Sequence, residues 1–189
     1  MRVLVTGMSG TGKSTALVEL EKRGYRVVDT DSREWSEWVP GADEWLWRED
    51  RMAELLAEDG EAPLFVSGCL SNQVKFYDRF DAIVLLSAPA EVILERVEQR
   101  TTNDYGKTAR ERELILTHLE TVEPRLRATA THELDAGRPT ADVVADLVAI
   151  GEGAPSLSRL RAPEPGAAPH AGLASTRRGR ASLRSRRRR

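Results

Sequence analysis

Val3-Leu4-Val5-Thr6-Gly7-Met8-Ser9-Gly10-Thr11-Gly12-Lys13-Ser14-Thr15 decides how this 189-residue chain is read. A short β-branched run leads into Gly7, and after four intervening residues Gly12-Lys13-Ser14 opens an amphipathic helix, matching G-x-x-x-x-G-K-[ST]. Glycines let backbone N–H groups converge on an anion without Cβ interference, and the helix N-terminus adds its partial positive charge. In this motif Lys13 reaches the β/γ-phosphates and the Ser14 hydroxyl ligates Mg²⁺. The expectation is that Gly7, Met8, Ser9, Gly10, Thr11, Gly12, Lys13, Ser14 and Thr15 bind the phosphates of a nucleotide. The alternative is a plain Gly-rich turn, which the order strand, loop, Lys-Ser and helix argues against.

Outward from this loop, charge divides the chain. From Gly153 onward there are ten Arg and one acid, a net +9, whereas residues 1–152 carry 18 basic and 29 acidic side chains, a net −11. An acidic body argues against nucleic acid as the main partner, because phosphate backbones are held by clustered Lys and Arg. The tail, residues 153–189, offers almost nothing to bury and is expected to be disordered. Its Arg186-Arg187-Arg188-Arg189 end could make weak, non-specific contacts with polyanions. Cys69 is the single cysteine and cannot form an internal disulfide. No apolar run approaches the ~18 residues of a membrane span, and the chain opens directly on its first strand with no basic leader. These features predict a cytoplasmic protein, a monomer or small homo-oligomer, whose folded part is residues 1–152.

After the loop, Ala16, Leu17, Val18 and Leu20 form an apolar helix side that ends at Gly24. Tyr25-Arg26-Val27-Val28 reads as a second strand ending in Asp29-Thr30-Asp31. Acids at a strand's C-terminal end stand where ligands of open α/β sheets bind, so Asp29 and Asp31 are candidates for Mg²⁺ and substrate; a solvated turn with a capping Asp is the alternative. Residues 32–41 read as irregular, and Trp45, Met52, Leu55 and Leu56 recur at helical spacing to about residue 58. Four tryptophans lie between Trp35 and Trp47, and either pack in the core or face a ligand. Arg48 and Arg51 share a helical face at i, i+3, suited to a carboxylate or phosphate, or to salt bridges with Glu44 or Asp50.

Leu64-Phe65-Val66-Ser67-Gly68 is a third strand, with Gly68 permitting close approach of a ligand or of neighbouring chain. Cys69 reads as a small buried hydrophobe, and Phe76–Phe80 as a short helix or turn. Asp81–Leu86 is an unbroken apolar strand suited to a parallel sheet, and the helix after Pro89 carries Arg96 and Arg100. Residues 101–108 have the composition of a mobile, basic lid or of an ordinary exposed loop. Residues 109–130 are helical in pattern with a break at Pro124. A weak fifth strand over 131–135 precedes a last helix from Pro139 to Ile150. His118 and His132 show no metal-ligand spacing and read as structural or exposed.

Five strands alternating with helices predict a three-layer α/β fold with a doubly wound parallel sheet, whose topology the alternation does not give; with the Gly7–Ser14 motif the expected fold is that of a P-loop NTPase. No Asn-Lys-x-Asp guanine-reading motif follows the fourth strand, and no apolar strand ends in Asp-Glu. What remains is a small body with acids after the second strand and a basic lid after the fourth.

Over about residues 1–150 the chain resembles the shikimate kinase, gluconate kinase and nucleotide kinase group of small P-loop kinases. Asp29-Thr30-Asp31 is similar to the Asp-Thr-Asp of shikimate kinases, which implies Mg²⁺ for the first acid and a substrate hydroxyl for the second. Glu44-Trp45-Leu46-Trp47-Arg48 resembles that family's Glu-x-x-Phe-Arg, which implies that Arg48 grips a substrate carboxylate, and Arg138 stands near another substrate arginine of the family. The chain departs where shikimate kinases show Gly-Gly-Gly, here Ser67-Gly68-Cys69, in its lid, and at Val122, where an Arg is expected. The pattern also resembles that of chains known only as AAA-type ATP-binding proteins.

The resemblance implies an ATP-dependent phosphotransferase acting on a small-molecule hydroxyl. Lys13, Asp31 and Arg100 are the expected catalytic residues, Ser14 and Asp29 the Mg²⁺ ligands, and Arg96 an adenine or phosphate contact. Asp31, Arg48, Gly68 and Arg138 are the expected substrate contacts. A nucleotide-gated binding protein and a polynucleotide kinase are the competing classes.

Overall fold

Val3, Leu4 and Val5 are each fully buried, and because successive side chains of a strand point to opposite faces they seed two cores rather than one. Leu4 joins Val66, Ile83, Leu85, Trp47, Met52 and Phe76, whereas Val3 and Val5 join Phe65, Val84, Leu86, Leu20, Val144 and Leu147. A sheet covered on both faces follows. The computed structural model describes residues 1–154; from residue 155 on, the expected disordered tail lies outside the described residues.

In chain order the elements are β1 (Arg2–Thr6), α1 (Lys13–Lys22), β2 (Arg26–Asp29), β3 (Ser36–Val39), β4 (Glu44–Trp47), α2 (Glu49–Ala57), β5 (Leu64–Ser67), a 3-10 segment (Ser71–Arg79), β6 (Ala82–Ser87), α3 (Ala90–Gln99), α4 (Ala109–Thr121), α5 (Glu123–Thr129), β7 (His132–Asp135) and α6 (Thr140–Gly151). Five strands form one parallel sheet in the order β2-β5-β1-β6-β7, the three-layer architecture that the alternation predicts. The chain leaves β1 toward one sheet edge and returns through β6 toward the other, so the crevice above the C-terminal end of β1 is the topological switch point where open α/β sheets bind ligands. Helices α1 and α6 cover one face; α2, the 3-10 segment and α5 cover the other. Among the described residues no helix is long and apolar enough to cross a membrane.

One region differs from its sequence-based reading. Residues 32–41 are not irregular throughout, and Trp45 does not begin a helix: β3 and β4 form an antiparallel hairpin pairing Ser36 with Trp47 and Trp38 with Trp45. Its turn runs through Pro40 and Gly41 to Asp43, which adopts φ 53°, a left-handed conformation that Asp tolerates better than most residues. Trp47 enters the core at 1 % exposure, and Trp45, two residues earlier on the same face of β4 and nearer the turn, is half-buried. Asn72 holds the hairpin from outside the ladder: its Oδ1 accepts from Trp47 N at 2.9 Å and its Nδ2 donates to Trp47 O at 3.1 Å. Helix α2 therefore begins only at Glu49. Likewise the 3-10 segment is longer than the expected turn around Phe76, and the break near Pro124 divides α4 from α5 at Val122.

Candidate nucleotide and acceptor site

The loop between β1 and α1 is shaped by backbone that few residues other than glycine adopt. Gly10 has φ 92°, and a Cβ there would lie 2.8 Å from Val97 Cγ2 and 3.0 Å from Ile93 Cγ2, so α3 packs directly on the loop. Gly12, φ 89°, has open space where its Cβ would be, and it precedes the first residue of α1. Thr11, 1 % exposed, closes the turn by donating Oγ1 to Met8 O at 2.8 Å. Lys13 Nζ donates to Gly7 O at 2.6 Å and Met8 O at 3.1 Å, which fixes its ammonium across the loop.

At the C-terminal end of β2 the two acids do different things. Asp29 Oδ2 accepts from Ser14 Oγ at 2.8 Å, and its Oδ1 accepts from Asp31 N at 3.1 Å. Asp29 thus reaches the crevice through Ser14, while the exposed Asp31 lines the crevice itself. Thr30, fully buried between them, accepts from Trp47 Nε1 at 2.8 Å and donates to Ser67 O at 2.8 Å. A Cβ on Gly68 would collide with Thr30 Oγ1 and crowd the Trp47 ring. Gly68 is therefore small to admit a neighbouring segment of chain, the second of its two expected uses, and it does not line the crevice.

The arginines part company. Arg100, just past α3, donates Nη2 to Tyr105 O at 2.7 Å and Ser9 Oγ at 3.3 Å, tying the 101–108 loop to the phosphate loop. Arg96, one turn earlier, also lines the crevice. Arg48 does not; its guanidinium lies 2.9 Å from Glu37, and Arg51 lies 3.4 Å from Glu34, so both brace the hairpin instead of pairing with Glu44 or Asp50. Arg138 lines the crevice and pairs with Asp146 at 2.7 Å. It follows β7, at the sheet edge opposite β2; four inter-strand steps of about 4.8 Å put it roughly 19 Å from the strand end that carries Asp31. Arg138 and Asp31 thus line one cavity from opposite edges of the sheet.

Arg33, which carried no sequence signal of its own, and His118, read as structural or exposed, line the crevice, as do Trp38 and Trp45 of the hairpin, two of the four tryptophans expected either to pack in the core or to face a ligand. His118 shares a helical face with Ile115 and Val122, an i, i+3 and i, i+4 pattern that could have placed it inward; burial holds its imidazole below the usual range, neutral at pH 7. Cys69 is half-buried at the same wall. Burial pushes its thiol up despite nearby Lys13 and the Thr6 hydroxyl, which makes it a poor nucleophile.

A parallel sheet in this order, with a glycine-shaped loop over its central strand and a lysine-serine pair opening the first helix, defines a P-loop protein with a small-kinase fold. A family model described as an AAA domain matches residues 3–117, and the chain belongs to that family. Its structure is similar to a shikimate kinase from Acinetobacter baumannii solved with shikimate, at 18% identity and a TM-score of 0.58 over 79% of this chain and 91% of that one. It is similar to a gluconokinase from Sinorhizobium meliloti at 24% identity and a TM-score of 0.57 over 80% and 94% of the two chains. It also resembles a shikimate kinase from Aquifex aeolicus at 19% identity and a TM-score of 0.55 over 81% and 97%. Among curated proteins none matches.

Proposed function

We propose that this protein transfers the γ-phosphoryl group of ATP to a hydroxyl of a small metabolite, and that residues 1–152 are the functional unit. One observation carries the reading: a cavity of about 1510 Å³ runs from the Gly7–Thr15 loop past Asp31 to the β3–β4 hairpin. Pockets for a single small ligand are on the order of 300–1,000 Å³. There is room for a nucleotide and a second molecule side by side.

Phosphoryl transfer demands positioning and charge neutralisation more than covalent chemistry. The loop N–H groups from Gly7 to Thr15 cradle the phosphates, Lys13 turns its ammonium from the loop carbonyls to them, and Arg100 adds a second positive charge from the lid side. Arg96 and Arg138, both at the α3 and β7 side of the cavity, contact the nucleotide. The donor set fits Mg²⁺: Ser14 Oγ and Asp29 Oδ2 already lie 2.8 Å apart, and this ion is usually held by one or two protein groups, with phosphates and water completing its shell. Bound there, it would neutralise charge on the transferred group. Asp31 orients the accepting hydroxyl and takes its proton. Arg48 and Gly68 act through the hairpin rather than by touching substrate.

The test is ADP release from the full chain with MgATP against a panel of small hydroxyl compounds. Acceptor-stimulated release that disappears in Lys13→Ala, with an unchanged melting curve, supports the reading. Release indifferent to every acceptor, or undiminished in Lys13→Ala, overturns it.

A further inference from the structure

Asp29 and Asp31 are held in place by different means. Asp29 ends β2, opposite Ser67 in the ladder, and its carboxylate accepts from Ser14. Asp31, the acid assigned above to the accepting hydroxyl, lies two positions beyond the strand and is exposed. Its own N–H reaches back to Asp29 Oδ1 at 3.1 Å; the rest of its placement comes from Thr30, buried between the two acids.

Thr30 commits both of its protons to one carbonyl of β5: N donates to Ser67 O at 3.0 Å, and Oγ1 to the same oxygen at 2.8 Å. That orientation leaves Oγ1 able to accept, and Trp47 Nε1 donates to it at 2.8 Å. Trp47 is itself fixed, its N and O held by Asn72 and its ring packed 5.9 Å from that of Phe76. The room for this contact is the second observation. A Cβ on Gly68 would collide with Thr30 Oγ1 and stand 3.0 Å from Trp47 Cζ2 and 3.1 Å from Trp47 Nε1, so the residue after β5 is bare where indole and hydroxyl meet. Away from water such a bond is strong and directional.

We infer that Trp47 is a positioning residue: through its Nε1–H bond to Thr30, in the space that Gly68 leaves, the hairpin sets where Asp31 meets the accepting hydroxyl. The inference rests on the phosphotransfer reading above and deepens it, since it ties the hairpin wall of the cavity to the acid that acts on the acceptor. Asp29 has its own ladder partner and Ser14, so the Mg²⁺ and nucleotide end does not depend on this bond.

The test is steady-state ADP release from the full chain with MgATP and whichever hydroxyl compound of the panel above stimulates it. Trp47→Phe, which fills much of the same core and donates nothing, and Gly68→Ala should each lower kcat roughly ten- to a hundredfold, the scale on which a displacement of about 1 Å costs rate. KM for ATP and the Mg²⁺ concentration at half-maximal turnover should hold. Thr30→Val, which keeps the shape and loses the acceptor, should act in the same way, whereas Thr30→Ser, which keeps the hydroxyl, should retain most of the rate. The double variant Trp47→Phe/Thr30→Val separates placement from stability. With both partners gone no group is orphaned, so its melting temperature should recover relative to Thr30→Val, while kcat stays as low as in the single variants. If kcat follows the melting temperature across the set, is unchanged in Trp47→Phe, or falls together with a rise in KM for ATP, the inference fails and the kinase reading stands. If no hydroxyl compound stimulates ADP release from the unaltered chain, both fall.

Discussion

Ser14 Oγ donates to Asp29 Oδ2 at 2.8 Å, joining the first turn of α1 to the end of β2 across the mouth of the crevice. They lie 15 positions apart in the chain, near the start of one element and at the end of the next. The pair is the point at which the phosphate loop and the acidic strand end become one site.

Asp29→Asn keeps the shape but removes the negative charge of one of the two groups proposed to hold Mg²⁺. Loss even of a partner that orients a metal ligand costs about 10–100-fold in metal affinity or activity. The Mg²⁺ concentration giving half-maximal turnover should rise within that range, while the melting temperature stays put. A Mg²⁺ titration of ADP release checks this.

Gly10→Ala meets two obstacles, a φ of 92° and the Ile93 and Val97 methyl groups about 3 Å from the new Cβ. The loop must shift away from α3. Nucleotide affinity is expected to fall more than stability does, because the loop moves while both cores remain packed; ATP titration by calorimetry beside a thermal melt separates the two.

Asn72→Ala strips Trp47 N and Trp47 O of their side-chain partners in a buried setting. Each orphaned group costs about 1–3 kcal/mol. Urea unfolding should register a loss of that order, with the acceptor KM rising as the hairpin loosens.

Glu133 receives Arg127 through Nε at 2.9 Å and Nη2 at 2.8 Å, and Ser87 Oγ at 2.7 Å. The Arg127 guanidinium, chiefly, holds its carboxyl below the ordinary value of 4.5. A carboxylate with a depressed folded pKa stabilises the fold above its unfolded value and loses that contribution as pH falls through the folded one. The destabilisation caused by Glu133→Gln should therefore be present at pH 7 and fade well below pH 4.5, as urea midpoints across that range would show.

Helix α6 ends at Gly151, and Gly153 reverses the chain at φ 75° with its N–H bonded to Ile150 O at 3.0 Å. Among the described residues, every member of both cores lies before this point. A chain cut after Ala154 is expected to retain its melting temperature and its acceptor-dependent kcat/KM, which a direct side-by-side assay would establish.

The loop and the parallel strands were legible because their evidence is contiguous. Gly7 to Ser14 carries its own meaning whatever surrounds it, and the apolar run Ala82–Leu86 announces a strand covered on both faces. The hairpin was not legible: Trp45, Leu55 and Leu56 also satisfy a helical period, and only the pairing of Trp38 with Trp45 and the grip of Asn72 on Trp47 decide for strand. Arg48 shows the same limit at the site. Its spacing from Arg51 suited an anion clamp, but Glu37 and Glu34, from a segment read as irregular, reach the two guanidinium groups first.

By itself, then, the sequence determined that a phosphate-binding loop opens a parallel α/β sheet, since both depend on short-range periodicity and on residues a few positions apart. The tertiary structure alone decided the strand order, which sets Asp31 and Arg138 at opposite edges of the sheet, and the cavity wall that Trp38, Trp45, Arg33 and His118 build. Those relations join residues up to about a hundred positions apart, and contacts at such separations are chosen by which apolar faces can be buried together, a property of the whole chain rather than of any stretch of it.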